Sequence, residues 1–323
     1  MQKIFLIILF FSVITLNVHS QTKVWFDTDI MIGMPDKEAR EVDDGITLIM
    51  ALKQPNIDIV GISNITYVNY GYEVVQKILK WHNKKQPIPV HKGSENADDL
   101  GTENEATKAL YQALKKEKLT ILALGPVTNI ATLIKNHSDI VSQIDKIVMC
   151  AARTPGLPFN PGLGNVNVFD YNYEMDTKSM DILLASPVPL IFAGYEPSSY
   201  THIGNVDLNC LDTNLEADRW LFEIVQPWMQ LNERYFGVHG FIPFDCSPLG
   251  MVTHPEYFTY YKDIPIKVNH KMNDAMIIQP NIKTKNFLEV SYKFKSNKKV
   301  LYARRALQGF EEKILESLSA KEH

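Results

Sequence analysis

The chain has 323 residues, of which 45% are hydrophobic and 22% charged, an ordinary globular composition with enough apolar material for a large core. Its formal net charge of −4 and its pI of about 6.2 exclude the basic excess of proteins that bind nucleic acid or an anionic membrane. Three cysteines, Cys150, Cys210 and Cys246, are too few for a disulfide framework, although one bridge stays open, and no CxxC or HExxH motif indicates zinc.

The amino terminus has the pattern of a cleaved signal peptide. Residues 1–3 carry a lysine, residues 4–16 are apolar, and Val18-His19-Ser20 is typical of a cleavage site. The apolar run is short for a span of the bilayer. We therefore predict that residues 1–20 are removed and that residues 21–323 form one exported domain, periplasmic or secreted, without a membrane attachment after cleavage.

Strand-like and helix-like stretches then alternate along the chain. The stretches that predict strands are 23–26, 57–63, 88–91, 119–124, 145–150 and 188–193. One predicted helix starts at residue 45, and four others cover residues 71–81, 105–116, 126–133 and 304–318. Polar strands are predicted from residue 283. Such alternation is typical of βαβ units, so we predict a single α/β domain with a mostly parallel central sheet flanked by helices.

One long irregular loop interrupts this alternation. Residues 152–172 contain several prolines and glycines, and long loops in compact domains are usually functional or disordered. The apolar residues Leu157, Phe159 and Phe169 favour an ordered loop. We therefore predict that this loop contributes to the functional site.

Four aspartates stand at the first strand–helix junction. Asp27 and Asp29 follow the strand, and Asp43 and Asp44 precede the helix, at the edge of an α/β sheet where ligands bind. One of them could simply cap the helix. Four carboxylates close together repel unless a cation lies among them, and oxygen ligands suit Ca²⁺ or Mg²⁺.

These aspartates resemble the signature of the inosine-uridine preferring nucleoside hydrolases. In that family three residues separate a D-x-D motif from a D-D pair, whereas here residues 30–42 separate them. Further similarity lies in three later motifs: residues 125–131 (GPVTNIA), Asp170-Tyr171-Asn172 and Phe244-Asp245. The resemblance spans the chain after the signal peptide and implies a nucleoside hydrolase-like fold with a Rossmann-like core.

The resemblance also implies a cofactor and a reaction. It implies Ca²⁺ held by Asp29, Asp44, Asp245 and the carbonyl of Leu124, with Asp29 also the base that activates water. Attack of water on the N-glycosidic bond, through an oxocarbenium-like transition state, releases a free base and ribose. Residues implied to contact the nucleoside substrate are Asp43, Asn69, Cys150, Asn165, Asp170 and Asn172.

The leaving-group side departs from the family pattern. Phe244 stands where some members have a histidine that protonates the leaving base, and we expect its ring to face the base. His239 is the nearest candidate for a replacement donor. Two alternatives stay open, a catalytically silent ribose- or nucleoside-binding protein and a hydrolase of another N-ribosyl compound. We expect no nucleic-acid partner, and a homo-oligomer stays open.

Overall fold

The computed structural model describes residues 21–83 and 86–319, so the predicted signal peptide lies outside the described residues. In this part of the chain nine strands form one sheet in the order β3-β2-β1-β4-β5-β6-β9-β7-β8. The strands are β1 (Thr22–Thr28), β2 (Ile57–Asn64), β3 (Val90–Lys92), β4 (Leu119–Ala123), β5 (Ile144–Met149), β6 (Leu190–Phe192), β7 (Phe258–Met272), β8 (Thr284–Val290) and β9 (Lys299–Ala306).

Helices cover the sheet on both sides. Those found in the described residues are α1 (Asp43–Lys53), α2 (Val68–His82), α3 (Glu105–Leu114), α4 (Thr128–Asn136), α5 (Tyr171–Glu174), α6 (Thr177–Ala185), α7 (Tyr195–Ser198), α8 (Glu216–Phe236), α9 (Cys246–Thr253) and α10 (Phe310–Leu318). The predicted single α/β domain with a mostly parallel, helix-flanked sheet is confirmed. None of the helices in the described ranges is long and apolar enough to cross a membrane.

The direction of the strands brings distant parts of the sequence to one edge. Strands β1 to β6 and β9 pair in parallel, while β7 pairs antiparallel with β8 and β9. In the register of the sheet Asp27 lies opposite Ala123, which lies opposite Met149. The residues that follow these three strands therefore meet at the carboxyl edge, where parallel sheets bind ligands.

The core lies on both faces of this sheet. Along β1, Val24 and Phe26 face one apolar cluster, whereas Trp25 faces the other, as the two-residue period of a strand requires. Helix α1 is buried from Asp43 to Leu52 and packs against α2, α9 and α10. Because α1 has no polar face, its two acidic residues are buried with it.

Two helix predictions need correction. The last helix begins at Phe310 and not at residue 304, because Arg304 and Arg305 belong to β9, which pairs with both β6 and β7. Gly309, with a φ of +97°, turns the chain before this helix. Helix α4 begins at Thr128, two residues after the proline that was expected to open it.

Candidate active site

A cavity of about 250 Å³ opens at the carboxyl edge of the sheet. The ends of three parallel strands supply its floor, through Asp29 after β1, Leu124 after β4 and Cys150 after β5. The loop 152–172, which the sequence predicts to contribute to the site, forms part of its wall. One end of the cavity is acidic, and the rest is largely aromatic.

Three carboxylates converge at the acidic end. Asp43 and Asp44 lie in the first turn of α1, and Asp245 directly precedes α9, with one oxygen of each within 4.8 Å of the others. Asp44 accepts a hydrogen bond from the Thr28 hydroxyl, and Asp43 accepts one from the backbone N–H of Asp245 at 3.4 Å. Asp29 lines the same cavity beside them.

Burial raises the pKa of each of the four carboxyl groups, and repulsion between them adds to the shift of Asp29, Asp44 and Asp245. Burial, followed by repulsion from Asp43, raises the pKa of Asp44 to about 7. Burial also raises the pKa of Asp43 to about 6. Burial and the charges of the neighbouring acids raise the pKa values of Asp29 and Asp245 well above their ordinary range. A positive charge placed among them would reverse these shifts.

The cluster fits a hard metal ion. Among residues 21–83 and 86–319, none of these four aspartates forms an ion pair with a lysine, arginine or histidine. The Oδ2 atom of Asp29 is buried and has no hydrogen-bond partner within the described chain. A buried carboxylate oxygen without a partner is costly, and a set of oxygen ligands alone suits Ca²⁺ or Mg²⁺.

Gly125 lets the next strand end approach Asp29 closely. A Cβ atom at this position would lie 2.8 Å from Cγ of Asp29, which is closer than real side chains come. The close approach of Asp29 therefore explains why a glycine occupies this position of the GPVTNIA motif. The asparagine of the motif, Asn129, donates to Asp27 at 2.9 Å and accepts from the backbone N–H of Ser94 at 2.8 Å. Asn129 therefore links the end of β1 to the loop at Ser94, in addition to lying in the first turn of α4.

The acid and the asparagine of the Asp170-Tyr171-Asn172 motif hold the cavity wall. Asn172 donates to the carbonyl oxygens of Leu124 and Cys150, at 2.7 and 3.0 Å. Asp170 accepts from the backbone N–H of Ala152 at 2.8 Å, and burial raises its pKa to about 6. Ala152 has a φ of +73°, a rare conformation for a residue with a side chain and one often found at functional sites.

The remaining wall is rich in aromatic rings. They come from the loop 152–172, from α7, from α8 and from the loop before α9: Phe159, Phe169, Tyr171, Tyr195, Trp228, Phe236, Phe241 and Phe244. Phe159 stacks on Tyr195 with ring centroids 4.8 Å apart, and Phe244 lies 6.2 Å from the same tyrosine ring. Such a wall can hold a planar base.

Three of the predicted substrate contacts do not line this cavity. Asn69 is exposed in α2 and accepts a hydrogen bond from Lys92 at 2.7 Å. Asn165 is exposed in the loop 152–172. His239, with 80% of its side chain exposed, lies 3.0 Å from Glu233. Asp43, Cys150, Asp170, Asn172 and Phe244 do line it.

Several residues of the cavity wall are not marked by any sequence motif, among them Glu41, Trp228 and Asn232. Glu41, in the stretch between the two aspartate pairs, is half-buried and faces the cavity, and burial raises its pKa to about 8. Trp228 and Asn232 lie one turn apart on α8. Their four-residue spacing on an amphipathic helix was the only signal available in the sequence.

The comparison with protein families agrees with this site. The family model described as inosine-uridine preferring nucleoside hydrolase matches residues 24–303. The chain therefore belongs to the inosine-uridine preferring nucleoside hydrolase family. It is accordingly an N-glycosyl hydrolase, whose family cleaves the N-glycosidic bond of ribonucleosides, small molecules that fit a cavity of this kind.

The named relatives are distant in sequence. "Probable uridine nucleosidase 1" of Oryza sativa subsp. japonica is 24% identical over 255 residues, which cover 69% of this chain and 77% of the relative. "Uridine nucleosidase 1" of Arabidopsis thaliana is 24% identical, over 69% of this chain and 74% of the relative. "Pyrimidine-specific ribonucleoside hydrolase RihA" of Salmonella arizonae is 22% identical, over 51% of this chain and 61% of the relative.

Solved structures share the fold over almost the whole chain. The "Plant nucleoside hydrolase - PpNRh1 enzyme" superposes with a TM-score of 0.72 at 17% identity, covering 93% of this chain and 99% of that one. The "Purine-Preferring Ribonucleoside Hydrolase from Gardnerella vaginalis" gives a TM-score of 0.69 at 19% identity, covering 92% and 98%.

Proposed function

We propose that this protein hydrolyses pyrimidine ribonucleosides such as uridine to the free base and ribose, with Ca²⁺ as its cofactor and Asp29 as its base. The observation that carries the proposal is the meeting of Asp29, Asp43, Asp44 and Asp245 at one end of a cavity whose other walls are aromatic. This arrangement provides a polar end for the sugar and a flat apolar wall for the base.

The cofactor is proposed from the ligand chemistry. Asp29, Asp44, Asp245 and the carbonyl of Leu124 would hold the ion. When bound, it would neutralise the acidic cluster and polarise nearby oxygen atoms. Calcium accepts many oxygen ligands in a flexible geometry, which suits a mixed set of carboxylates and one backbone carbonyl.

The residues of the chain then have separate tasks. Asp29 accepts a proton from the attacking water, because it lines the cavity and its Oδ2 atom is free of hydrogen bonds within the described residues. Asp43 and Asp170 orient sugar hydroxyls. The aromatic wall stacks on the base and excludes water from the bond that breaks.

The pyrimidine preference has two supports. The relatives from rice, Arabidopsis and Salmonella are named for uridine or for pyrimidines. A purine leaves more readily when a ring nitrogen is protonated, and Phe244 cannot donate a proton. His239, exposed and beside Glu233, is outside the cavity wall.

The decisive experiment is a ribose-release assay on purified protein with uridine, cytidine, inosine and nicotinamide riboside. Each substrate is tested in calcium, after chelation, and after calcium is added back. We expect the fastest release from uridine or cytidine, its loss on chelation and its recovery with calcium. Activity unaffected by chelation would contradict the cofactor, and activity on nicotinamide riboside alone would favour the alternative of another N-ribosyl substrate.

We also propose that the protein is exported, on the sequence pattern of residues 1–20. Amino-terminal sequencing of protein from the native host should start at or near Gln21. Protein that starts at Met1 in the cytoplasm would contradict export without affecting the proposed reaction.

A further inference from the structure

The connection between strands β7 and β8 reaches the cavity, although these strands lie at one edge of the sheet. It comprises residues 273–283, and we call it the 273–283 loop. Ile278 in this loop lines the cavity. The Asn167 side chain, from the loop 152–172, donates a hydrogen bond to the Asp274 carbonyl at 2.8 Å. The 273–283 loop therefore extends the cavity wall that the loop 152–172 forms.

The turn that carries Ile278 is held by one buried asparagine. Asn273, 5% exposed, donates from its side-chain amide to the carbonyls of Gln279 at 3.2 Å and Ile282 at 2.9 Å. Its side-chain oxygen accepts a hydrogen bond from the backbone N–H of Ala275 at 2.9 Å. The Ala275 carbonyl in turn accepts from the backbone N–H groups of Ile278 and Gln279, at 3.1 and 2.8 Å. The position of Ile278 thus depends on Asn273.

A buried lysine ties the 273–283 loop to helix α5. Lys285, near the start of β8, is 8% exposed and donates to the carboxylate of Glu174 at 2.6 Å and to the side-chain oxygen of Gln279 at 3.2 Å. The Gln279 amide also donates to Glu174 at 3.2 Å. Because a buried charge is stable only beside its partner, these contacts hold the loop against α5.

A buried arginine ties the 273–283 loop to the loop 152–172. Arg153, 2% exposed, pairs with Asp274 and donates to the carbonyl of Leu157 at 3.0 Å. Its guanidinium contacts two aromatic rings, 4.2 Å from the centre of Phe159 and 4.7 Å from that of Phe287. Since Phe159 lines the cavity, the same arginine supports the aromatic wall and the 273–283 loop.

The loop presents apolar side chains to solvent beside the cavity. Ile277 is 64% exposed and Ile278 is 42% exposed, and of the two only Ile278 lines the cavity. A ligand that covers this side chain removes apolar surface from water, which is favourable. Because the loop is already held by buried contacts, little conformational entropy is lost when a ligand binds against it.

Resting on the proposed function, we infer that the 273–283 loop is a substrate-binding element in which the Ile278 side chain contacts the bound nucleoside. The contact is apolar, so it strengthens binding of the nucleoside and takes no part in cleavage of the bond. Asn273 is a positioning residue, because it acts on the substrate only through the turn that carries Ile278. Lys285 and Arg153 anchor the loop and position Ile278 in the same way.

The test measures kcat and KM for uridine at saturating calcium in wild type, Ile278→Ala and Ile277→Ala. The two variants remove the same atoms from adjacent residues of one loop. Loss of a partly covered isoleucine side chain should raise KM about 5- to 30-fold in Ile278→Ala, with kcat within about twofold of wild type. Ile277→Ala should behave as wild type. An unchanged KM in Ile278→Ala, or an equal increase in both variants, would overturn the inference.

A double-mutant cycle tests the positioning role of Asn273. Asn273→Ala should raise KM for uridine on its own. Added to Ile278→Ala, it should raise KM by less than about twofold, because the side chain that it positions is already gone. Asn286→Ala, which changes an exposed asparagine of β8, is the control and should leave KM unchanged. KM increases that multiply in the double variant would show that Asn273 does not act through Ile278.

Binding of intact nucleoside keeps the inference distinct from the proposed reaction. Calorimetry follows uridine binding to calcium-loaded Asp29→Asn protein, with and without the Ile278→Ala change. We expect this change to weaken uridine binding about 5- to 30-fold and to leave the calcium affinity unaltered. This result would uphold the contact even if wild type cleaved no nucleoside, in which case the proposed function alone would fail. Equal uridine affinities, or a loss accounted for by weaker calcium binding, would overturn the inference.

Discussion

The side-chain amide of Asn172 donates to the carbonyl oxygen of Leu124 at 2.7 Å, which joins α5 to the end of β4. A carbonyl oxygen has two lone pairs, so this hydrogen bond leaves one free for the proposed ion. The same amide donates to the carbonyl of Cys150 at 3.0 Å. One asparagine thereby fixes the ends of two neighbouring strands beside the acidic cluster.

We predict that Asn172→Ala weakens calcium binding by about 10- to 100-fold, the usual effect of losing a residue that orients a metal ligand. The Leu124 carbonyl would remain at the end of β4 but lose the hydrogen bond from Asn172 that orients it. Calcium affinity is measured by calorimetry on chelator-treated protein. Asn136→Ala, which removes an exposed asparagine at the end of α4, is the control. Equal calcium affinities in the two variants would contradict the orienting role.

We predict that Asp29→Asn reduces turnover of uridine by at least about 10² to 10⁴, the range attributed to a general base. An amide cannot accept the proton of water, while its oxygen can still approach the ion. Turnover is therefore measured at calcium concentrations that saturate the variant. The control is Asp58→Asn, at the start of β2 and paired with Lys23, which should keep wild-type turnover. Near-normal turnover of folded, calcium-loaded Asp29→Asn would remove Asp29 as the base.

Calcium should stabilise the protein more at pH 8 than at pH 5. In the metal-free fold the carboxyl groups of Asp43 and Asp44 have pKa values of about 6 and about 7, above the ordinary 3.8. The folded state therefore holds more protons than the unfolded state between about pH 4 and pH 7, and its stability falls as the pH rises through this window. The loss comes from burial of both carboxylates and, for Asp44, from repulsion by Asp43, and a bound calcium ion would offset both effects.

The measurement is the melting temperature with calcium and with a chelator, at both pH values. We expect the difference between calcium and chelator to be larger at pH 8. A difference that is the same at pH 5 and pH 8 would show that the acidic cluster does not bind the stabilising ion.

Much of this site could be predicted from the sequence because its signals are local. Asp29 and the pair Asp43/Asp44 lie beside a strand and a helix with clear apolar patterns, and parallel strands must end at a common edge. Asp27, predicted to join them, lies instead within β1 and accepts hydrogen bonds from Ser63 and Asn129 away from the cavity. The GPVTNIA motif was equally clear, and the structure adds why its glycine is required, namely the close approach to Asp29.

The rest depends on contacts between residues far apart in the sequence. Trp228 and Asn232 reach the cavity only because α8 crosses above the sheet, and no short motif marks them. Glu41 lies in a charged stretch whose path is set by long-range contacts, since its neighbour Glu38 accepts hydrogen bonds from Arg234 and Tyr235. Arg304 and Arg305 were assigned to a helix because their pairing with β7 is set by the fold and not by local pattern.

The last prediction concerns the leaving group, and it compares inosine with uridine. A phenyl ring at position 244 cannot protonate a purine, so we expect wild type to cleave inosine about 10²-fold or more slowly than uridine. Two polar side chains of the cavity wall are already engaged, since Tyr195 donates to the Asn160 carbonyl and Asn232 donates to the Trp228 carbonyl at 2.9 Å. The Tyr171 hydroxyl, for which no hydrogen bond is found among the described residues, is the remaining tyrosine donor of the loop 152–172.

Two variants test this reasoning with opposite expectations. His239→Ala should leave both substrates unchanged, since 80% of this side chain is exposed and it lies beside Glu233 rather than in the cavity. Phe244→His should raise the rate on inosine selectively, because the imidazole would stand next to the Tyr195 ring on the wall assigned to the base. Rates on both substrates are measured at saturating calcium between pH 5.5 and 8. Fast inosine cleavage by wild type that persists in His239→Ala would show that another group protonates the purine. A rate gain in Phe244→His that is confined to inosine, and that is lost as the pH rises and the imidazole deprotonates, would place residue 244 against the leaving base.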